Sequence, residues 1–512
     1  MTAATRWSPM QEAVFSWATT GHGSAIVEAV AGSGKTTTLV ELVRRVAGPG
    51  RSLAFVAYNK AIAAEITTRV AGLPGVRAST FHALGYGAWM KANPGCRIED
   101  RKVKNLLATP ALGVPEPYHE FVAELVSLAK GHALGVLSPL DSLDAWYALV
   151  EHHELEELLS DTSPTDATLG AVVGSGIQYA QSVLKASIAQ DPTVIDYDDM
   201  LYAPLIHNLR MWENDWVLVD EAQDTNPARR ALARKILKRN GRLVAVGDPH
   251  QAIYGFTGAD ADALDRIQRE FACTRLPLTV TYRCPKAVVA LARTWVSHIE
   301  AHASAPEGTV SSTTLPEFTA HPDRLVPADA ILCRNTKPLV ELAFALIRRG
   351  VACHVEGKDI GRGLAALATK WKMKAAAPMI ERLLAWRENE VTRLNAKGQE
   401  QKADSLSDRV DTLAVIAEGK TTVLEILSAI ERLFGDTKAG TPSKTVTLAT
   451  IHKAKGREWD RVYLLGRNLY MPSKFARQEW QLGQEANLAY VAVTRAKATL
   501  IDIVVSPRRT DA

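Results

Sequence analysis

Two short runs of the 512-residue chain hold the residue types that handle phosphate and its metal ion. The first is Ala29-Val30-Ala31-Gly32-Ser33-Gly34-Lys35-Thr36, set between an apolar run from Ser24 to Glu28 and a helix-patterned run from Thr37 to Val46. Strand, glycine-rich turn and helix are the context a phosphate-binding loop requires. Glycine lets the backbone N–H groups of Ala31, Gly32, Ser33, Gly34, Lys35, Thr36 and Thr37 turn inward on an anion, and the helix start adds its positive dipole end. Lys35 would reach the β- and γ-phosphates, and the Thr36 hydroxyl would hold Mg²⁺. Ala29 stands where the strict pattern has glycine. The second run is Trp216-Val217-Leu218-Val219, an apolar strand leading straight into Asp220-Glu221-Ala222-Gln223-Asp224. A nucleotide hydrolase needs such a pair beside its loop: Asp220 for Mg²⁺, Glu221 to take a proton from the attacking water.

The elements around these runs deliver further polar and aromatic residues. Ser8-Pro9-Met10-Gln11-Glu12 reads as a helix start with Ser8 as cap and Pro9 at the first position. Gln11 on that first turn has an amide that can read adenine, or is simply a solvated glutamine. Leu53 to Ala57 reads as a buried parallel strand followed by Tyr58-Asn59-Lys60 and a helix from Ala61 to Val70. A short strand ends at Ser79-Thr80-Phe81-His82, and Arg242 to Val246 ends in Gly247-Asp248-Pro249-His250-Gln251. Ligands bind at such strand ends in open α/β sheets.

The totals set limits. At this length two or more domains are expected. A composition of 47% hydrophobic and 23% charged residues can bury ordinary cores, and a formal charge of +4 leaves any basic surface local. Five scattered cysteines without a CxxC pair argue for reduced thiols and against zinc or iron–sulfur sites. No apolar run approaches a membrane span, and the start lacks a signal peptide's apolar core, so no membrane association and a cytoplasmic location are expected.

From about Asn93 to Asp191 helical patterns dominate, as in Tyr118 to Lys130 and Asp144 to Leu159, and His152-His153-Glu154 reads as surface. A second α/β unit begins near Leu276, with strands at Leu278 to Thr281, Ala330 to Cys333, Val351 to Val355, Thr445 to Thr450, Val462 to Leu465 and Thr499 to Val505. A charged helical segment, Ala375 to Lys420, interrupts it, with apolar contacts at Val391/Leu394 and Leu406/Val410/Leu413. Lys370-Trp371-Lys372-Met373-Lys374 before it reads as a solvated helix end rather than a nucleic-acid contact.

With these pieces in order, the sequence resembles the UvrD/PcrA/Rep branch of superfamily 1 DNA helicases from Gln11 to Lys497. The carriers are Val219-Asp-Glu-Ala-Gln-Asp-Thr-Asn226, Gly247-Asp-Pro-His-Gln-Ala-Ile-Tyr-Gly-Phe-Thr-Gly-Ala259, Thr450-Ile-His-Lys-Ala-Lys-Gly-Arg-Glu-Trp459 and Leu488-Ala-Tyr-Val-Ala-Val-Thr-Arg-Ala496. The Tyr58-Asn59-Lys60 and Gly-Asp-Pro-His-Gln spellings lean toward the F-box DNA helicases and their phage-type relatives.

The resemblance implies an α/β fold of two RecA-like doubly wound parallel-sheet domains, each with a mainly helical insertion. The first domain would occupy 1–92 and 192–275 with an insertion at 93–191. The second would occupy 276–360 and 441–512 with a short insertion at 361–440. It also implies ATP and Mg²⁺ as cofactors and 3′ to 5′ unwinding. By matching position, Gln11 would read adenine and Tyr282 stack on it, Gln251 would sense the γ-phosphate, and Glu458 would contact the ribose. Arg283 and Arg495 would act as arginine fingers, a contribution of roughly 10³–10⁵ in rate in comparable enzymes. Tyr58, Asn59, Thr80, Phe81, His82, Tyr254, Phe256 and His452 would face single-stranded DNA and fork junctions without reading sequence. The implied setting is a bacterial or phage-infected cytoplasm, or a nucleus.

Departures from the pattern are Ala57 where an aromatic is frequent, Phe256 for tryptophan, Thr257 for arginine, and the short second insertion. They motivate an alternative in another class: a DNA-stimulated ATPase that strips proteins from DNA or serves as a motor subunit, with little unwinding alone.

Overall fold

The computed structural model describes residues 7–159, 169–253, 262–396, 400–434, 445–474 and 476–506. It divides into two compact units, Met1–Thr279 and Val280–Ala512. Each is an α/β domain of the RecA-like type with a parallel sheet and inserted helices.

In the first unit the strands are β1 (Ala25–Ala29), β2 (Leu53–Ala57), β3 (Val76–Thr80), β6 (Asn214–Val219), β7 (Leu237–Gly247) and β8 (Thr274–Leu278), all parallel in the order β3-β2-β6-β7-β1-β8. Apolar residues alternate sides along them: Val27, Phe55, Leu218 and Val244 face one core, Ile26, Val56, Val217 and Leu243 the other. All eight are at most 1% exposed, so both faces of the sheet must be covered. Helices α1 (Pro9–Thr20), α2 (Lys35–Val46) and α3 (Lys60–Arg69) cover the first face. On the second lie α9 (Asp199–Ile206), α10 (Pro227–Lys235) and α11 (Ala263–Phe271), together with Phe81 at the head of α4 (Phe81–Ala92). Burying one such aliphatic or phenyl group stabilises the fold by about 1.5–3 kcal/mol.

The inserted helices α5 (Lys102–Leu107), α6 (His119–Gly131), α7 (Leu143–His152) and α8 (Leu169–Gln190) have a core of their own around Phe121, Leu125, Trp146 and Ile177. Two short strands, β4 (Arg97–Ile98) and β5 (Val194–Ile195), pair at its base. There Lys102 Nζ sits 2.6 Å from Asp191 and 2.7 Å from Asp199, and Lys130 Nζ 2.6 Å from Asp196 and 2.7 Å from Asp199. This buried network ties the insertion to α9, which in turn packs on α4. At that crossing a Cβ on Gly85 would lie 1.9 Å from the Met200 carbonyl oxygen, so only glycine fits. His153 is not simply surface: it is half-buried against the rings of His132 and His152.

The second unit holds a two-stranded sheet, β9 (Val280–Thr281) with β10 (Glu300–Ala301), and a parallel six-stranded sheet. Its strands are β11 (Thr309–Thr314), β12 (Ala330–Cys333), β13 (Cys353–Val355), β14 (Val446–Thr450), β15 (Trp459–Leu465) and β16 (Ala496–Val504), in the order β11-β16-β15-β12-β14-β13. The strand expected over Leu278 to Thr281 is split: Leu278 closes β8 in the first sheet, while Val280 and Thr281 form β9. Edge strand β11 has no apolar run to announce it, since Thr309-Val-Ser-Ser-Thr-Thr314 is mostly exposed.

Around this sheet lie α12 (Lys286–Ala292), α13 (Leu315–Ala320), α14 (Thr336–Ile347), α15 (Lys358–Thr369), α16 (Ala376–Ala396), α17 (Glu400–Ala417), α18 (Val423–Phe434), α19 (Ile451–Ala454), α20 (Arg467–Tyr470) and α21 (Glu479–Val493). Leu394, Leu406, Val410 and Leu413 share one core with Ile331 and Leu448 of the sheet, so these helices are built into the domain. The Lys370–Lys374 segment is more than a solvated helix end. Lys370 Nζ lies 3.3 Å from the centre of the Trp386 ring, and Trp371 meets Trp386 edge-on at 6.0 Å. Among the described residues no helix is long and apolar enough to cross a membrane.

Candidate functional site

Strand order brings three loops together in the first unit. β1, β7 and β6 are consecutive neighbours, and all three run in the same direction. Their carboxyl ends therefore set the phosphate-type loop, the Gly247-Asp248 turn and the Asp220-Glu221 turn side by side.

The loop after β1 turns through Gly32 at φ 72° and Gly34 at φ 80°, left-handed values that favour glycine. Ser33 is 1% exposed and its Oγ is buried with no hydrogen-bond partner. An orphaned hydroxyl in a glycine turn at the start of α2, where the first N–H groups of a helix have no partner within it, fits an anion such as a phosphate. Ala29 is the last residue of β1, where strand geometry does not call for glycine.

Lys35 Nζ lies 3.2 Å from Glu221 Oε2, with side chains 11% and 18% exposed. Burial opposes the Lys35 charge, but Glu221, Asp248 and Asp220 outweigh it and hold its pKa above the ordinary lysine value. Thr36 Oγ1 donates to Asp220 Oδ2 at 2.9 Å. Burial first, then the Glu221 charge, pushes Asp220 up to about 6, against the pull of Lys35. Two hard oxygen donors this close suit Mg²⁺, which prefers a few carboxylate or hydroxyl ligands and keeps water on the rest.

Glu221 takes φ 51°, a left-handed conformation unusual for a non-glycine residue. Such strain costs on the order of 1–3 kcal/mol and is held by surrounding bonds. Gln223 provides them: its Nε2 donates to Glu221 Oε2 at 2.6 Å, and its Oε1 accepts from the Asp248 N–H at 3.0 Å. Gln251 Nε2 donates to Asp248 Oδ2 at 2.6 Å. Glu221, Gln223, Asp248 and Gln251 thus form one buried or half-buried chain of polar groups. The bridging part of Gln223 was missed in the sequence, where only the two carboxylates carried obvious chemistry.

Gln11 is buried rather than solvated. Its Oε1 accepts from Ser8 N at 3.0 Å, closing a capping box, and its Nε2 donates to Thr38 Oγ1 at 3.0 Å. A Cβ on Gly34 would lie 3.6 Å from that same Nε2, so the amide stands against the loop.

The residues of the first unit expected to face a nucleic acid divide into three groups. Tyr58 and His82 line a narrow crevice with Glu221, Asp224 and Arg229. Burial pushes the Tyr58 hydroxyl up to about 12 and lowers His82 to about 4, so both are neutral near pH 7. Asn59 and Thr80 accept from Ile62 N and Ala83 N and cap α3 and α4, while Phe81 is packed in the core at 5% exposure. Tyr254 and Phe256, with Thr257, lie outside the described residues.

In the second unit Tyr282 is 45% exposed and stacks at a tilt on His302, with ring centres 5.0 Å apart. Arg283 Nε donates to Glu458 Oε2 at 2.5 Å. Arg495 is 1% exposed; its guanidinium donates to the carbonyls of Val491 and Arg457 and to Thr494 Oγ1. His452 follows β14, and burial, then Arg334 and the two lysines Lys455 and Lys453, lowers it to about 3.

A parallel sheet with a glycine-turned loop, a lysine–carboxylate pair and a hydroxyl–carboxylate pair defines a P-loop type of nucleotide-binding domain. The chain matches the UvrD/REP helicase N-terminal domain over residues 10–272 and the UvrD-like helicase C-terminal domain over residues 358–506. It belongs to the UvrD/PcrA/Rep-like family of superfamily 1 DNA helicases. It is 25% identical over 504 residues to F-box DNA helicase protein 1 of Schizosaccharomyces pombe, covering 93% of this chain and 55% of that protein. To the ATP-dependent DNA helicase UvrD2 of Mycobacterium tuberculosis it is 24% identical over 555 residues, 94% of this chain and 76% of that one. DNA helicase IV of Escherichia coli is 26% identical over 314 residues, 54% of this chain and 45% of the relative. The chain thus spans about half the length of the fission-yeast protein.

Proposed function

We propose that the chain is an ATP-driven motor that moves along single-stranded DNA from 3′ to 5′ and separates duplex strands as it advances. The observation that carries this reading is the placing of Lys35 beside Glu221 and of Thr36 beside Asp220 at the carboxyl ends of β1 and β6, on either side of β7. Lys35 neutralises charge on the β- and γ-phosphates of ATP, and the Gln223-held Glu221 carboxylate accepts a proton from the attacking water. Mg²⁺, held by Thr36 and Asp220, would draw charge from the phosphate oxygens. Gln251, bonded to Asp248, reports the state of the γ-phosphate to the turn that carries it.

Gln11 and Tyr282 bind the adenine and Glu458 the ribose, while Arg283 and Arg495 supply positive charge to the phosphoryl group. In this reading, closing of the two RecA-like domains on ATP and parting after hydrolysis moves the strand. Tyr58, His82 and His452 contact DNA without reading its sequence, so binding weakens with salt. The polarity and the roles in the second domain rest on the family pattern.

A forked duplex with either a 3′ or a 5′ single-stranded tail tests this directly. Unwinding from the 3′ tail supports the proposal, and unwinding only from the 5′ tail reverses the polarity. Strong DNA-stimulated hydrolysis without unwinding favours the second reading, a translocase or motor subunit, which the short second insertion motivates.

A further inference from the structure

Arg229 occupies the first turn of α10, which packs against α4, α6 and α9 as well as β7. Its position is set by the Asn226 cap, whose Oδ1 accepts the Arg229 N–H at 3.0 Å, and Asn226 is itself pressed by the insertion: a Cβ on Gly131 would lie 3.3 Å from its Nδ2. The guanidinium points back over the crevice. Its Cζ lies 5.6 Å from the centre of the Tyr58 ring, and its Nη1 donates to the Asp224 carbonyl at 2.6 Å. Asp224 closes a one-turn helix in which its N–H donates to the Glu221 carbonyl at 3.0 Å. One planar cation therefore lies over an aromatic ring and donates to the short turn that begins at the strained Glu221.

We propose that Arg229 is the positioning residue through which nucleic acid on the Tyr58 and His82 surface sets the Glu221 turn for hydrolysis. This rests on the proposed reading of the chain as a DNA-dependent ATPase. Glu221 at φ 51° is held by a handful of contacts, so a small shift of its turn changes where the carboxylate points. A base stacking on Tyr58 competes with Arg229 for the ring and changes the pull of the guanidinium on the Asp224 carbonyl. A guanidinium suits this task better than an ammonium, because its face stacks while its edge donates. Arg229 touches neither nucleotide nor strand in this account. Its effect is on the ratio of DNA-stimulated to DNA-free hydrolysis.

The test uses the full chain with Arg229→Gln, Arg229→Lys and Tyr58→Leu, measuring ATP turnover with and without oligothymidylate, and oligothymidylate affinity by fluorescence anisotropy. Arg229→Gln should lower the stimulation ratio at least about five-fold, the lower end of ordinary coupling between sites, and act mainly on kcat rather than on the KM for ATP. Arg229→Lys should restore it only partly. Combined with Tyr58→Leu, Arg229→Gln should add little further loss, because both act through one contact. An unchanged ratio in Arg229→Gln, or an equal fall of DNA-free turnover and melting temperature in both arginine variants, overturns the proposal. If the unaltered chain is not stimulated at all, the reading beneath it fails first.

Discussion

Lys35 Nζ and Glu221 Oε2 stand 3.2 Å apart. The residue expected to hold phosphate and the residue expected to accept a proton thus neutralise one another, in a pocket that also contains Asp220 and Asp248. The pair preorganises both groups and keeps a buried acidic cluster supplied with a cation. Its two halves should fail in different ways.

Glu221→Gln keeps the shape of the side chain and removes the base. ATP and DNA binding should survive while turnover falls by about 10²–10⁴-fold, the usual size of a lost general base. Single-turnover hydrolysis together with nucleotide titration checks it; full turnover would remove Glu221 as the base.

Lys35→Ala should weaken nucleotide binding itself. It also leaves the buried Asp220 and Asp248 and the half-buried Glu221 without their ammonium, so the nucleotide-free protein should lose about 3 kcal/mol against denaturant. Glu221→Gln, which lowers the negative charge at the same place, should not destabilise the free protein. Urea unfolding of the two variants compares them, and equal losses would refute the asymmetry.

Gly85→Ala tests how the head of α4 is held. The added methyl would meet the Met200 carbonyl at 1.9 Å, so α4 and α9 must part, at a cost of about 1–3 kcal/mol or more. DNA-stimulated turnover should fall with it, because His82 lies on the first turn of α4. A variant as stable as the parent would show that the crossing is looser than it looks.

Acid should act through His153, whose pKa is lowered to about 4 by burial and by His152 and His132, and whose Nε2 is buried without a hydrogen-bond partner. A histidine with a depressed folded pKa contributes stability that is present above its unfolded value near 6.5 and is lost as pH falls toward about 4. Between pH 6.5 and 5 the parent should therefore lose about 2 kcal/mol relative to His153→Leu. Parallel stability curves over that window would contradict the assignment.

The candidate nucleotide site was legible because each part of it follows an apolar run of strand: Ala25–Ala29 before the loop, Asn214–Val219 before Asp220, and the buried end of Leu237–Gly247 before Asp248. A buried parallel strand announces itself by composition, and the residue types at its end do the rest. What was hidden depended on tertiary contact. Gln11 reads as a polar residue on an exposed turn, and only packing against Thr38 and Gly34 buries it. Polar β11 carries no hydrophobic signal because it lies at an edge. Arg229 is one of several arginines in a helix, and nothing in its spacing marks it as the one over Tyr58. The positive φ of Glu221 cannot be read from a glutamate at all.

The most direct test of the account is the rate of ATP hydrolysis by the unaltered chain with Mg²⁺, with and without single-stranded DNA of several sequences, at low and high salt. Hydrolysis that rises severalfold with any single strand, loses that rise at high salt, and disappears in Glu221→Gln is the predicted result. Absent hydrolysis, or hydrolysis indifferent to DNA, would contradict it.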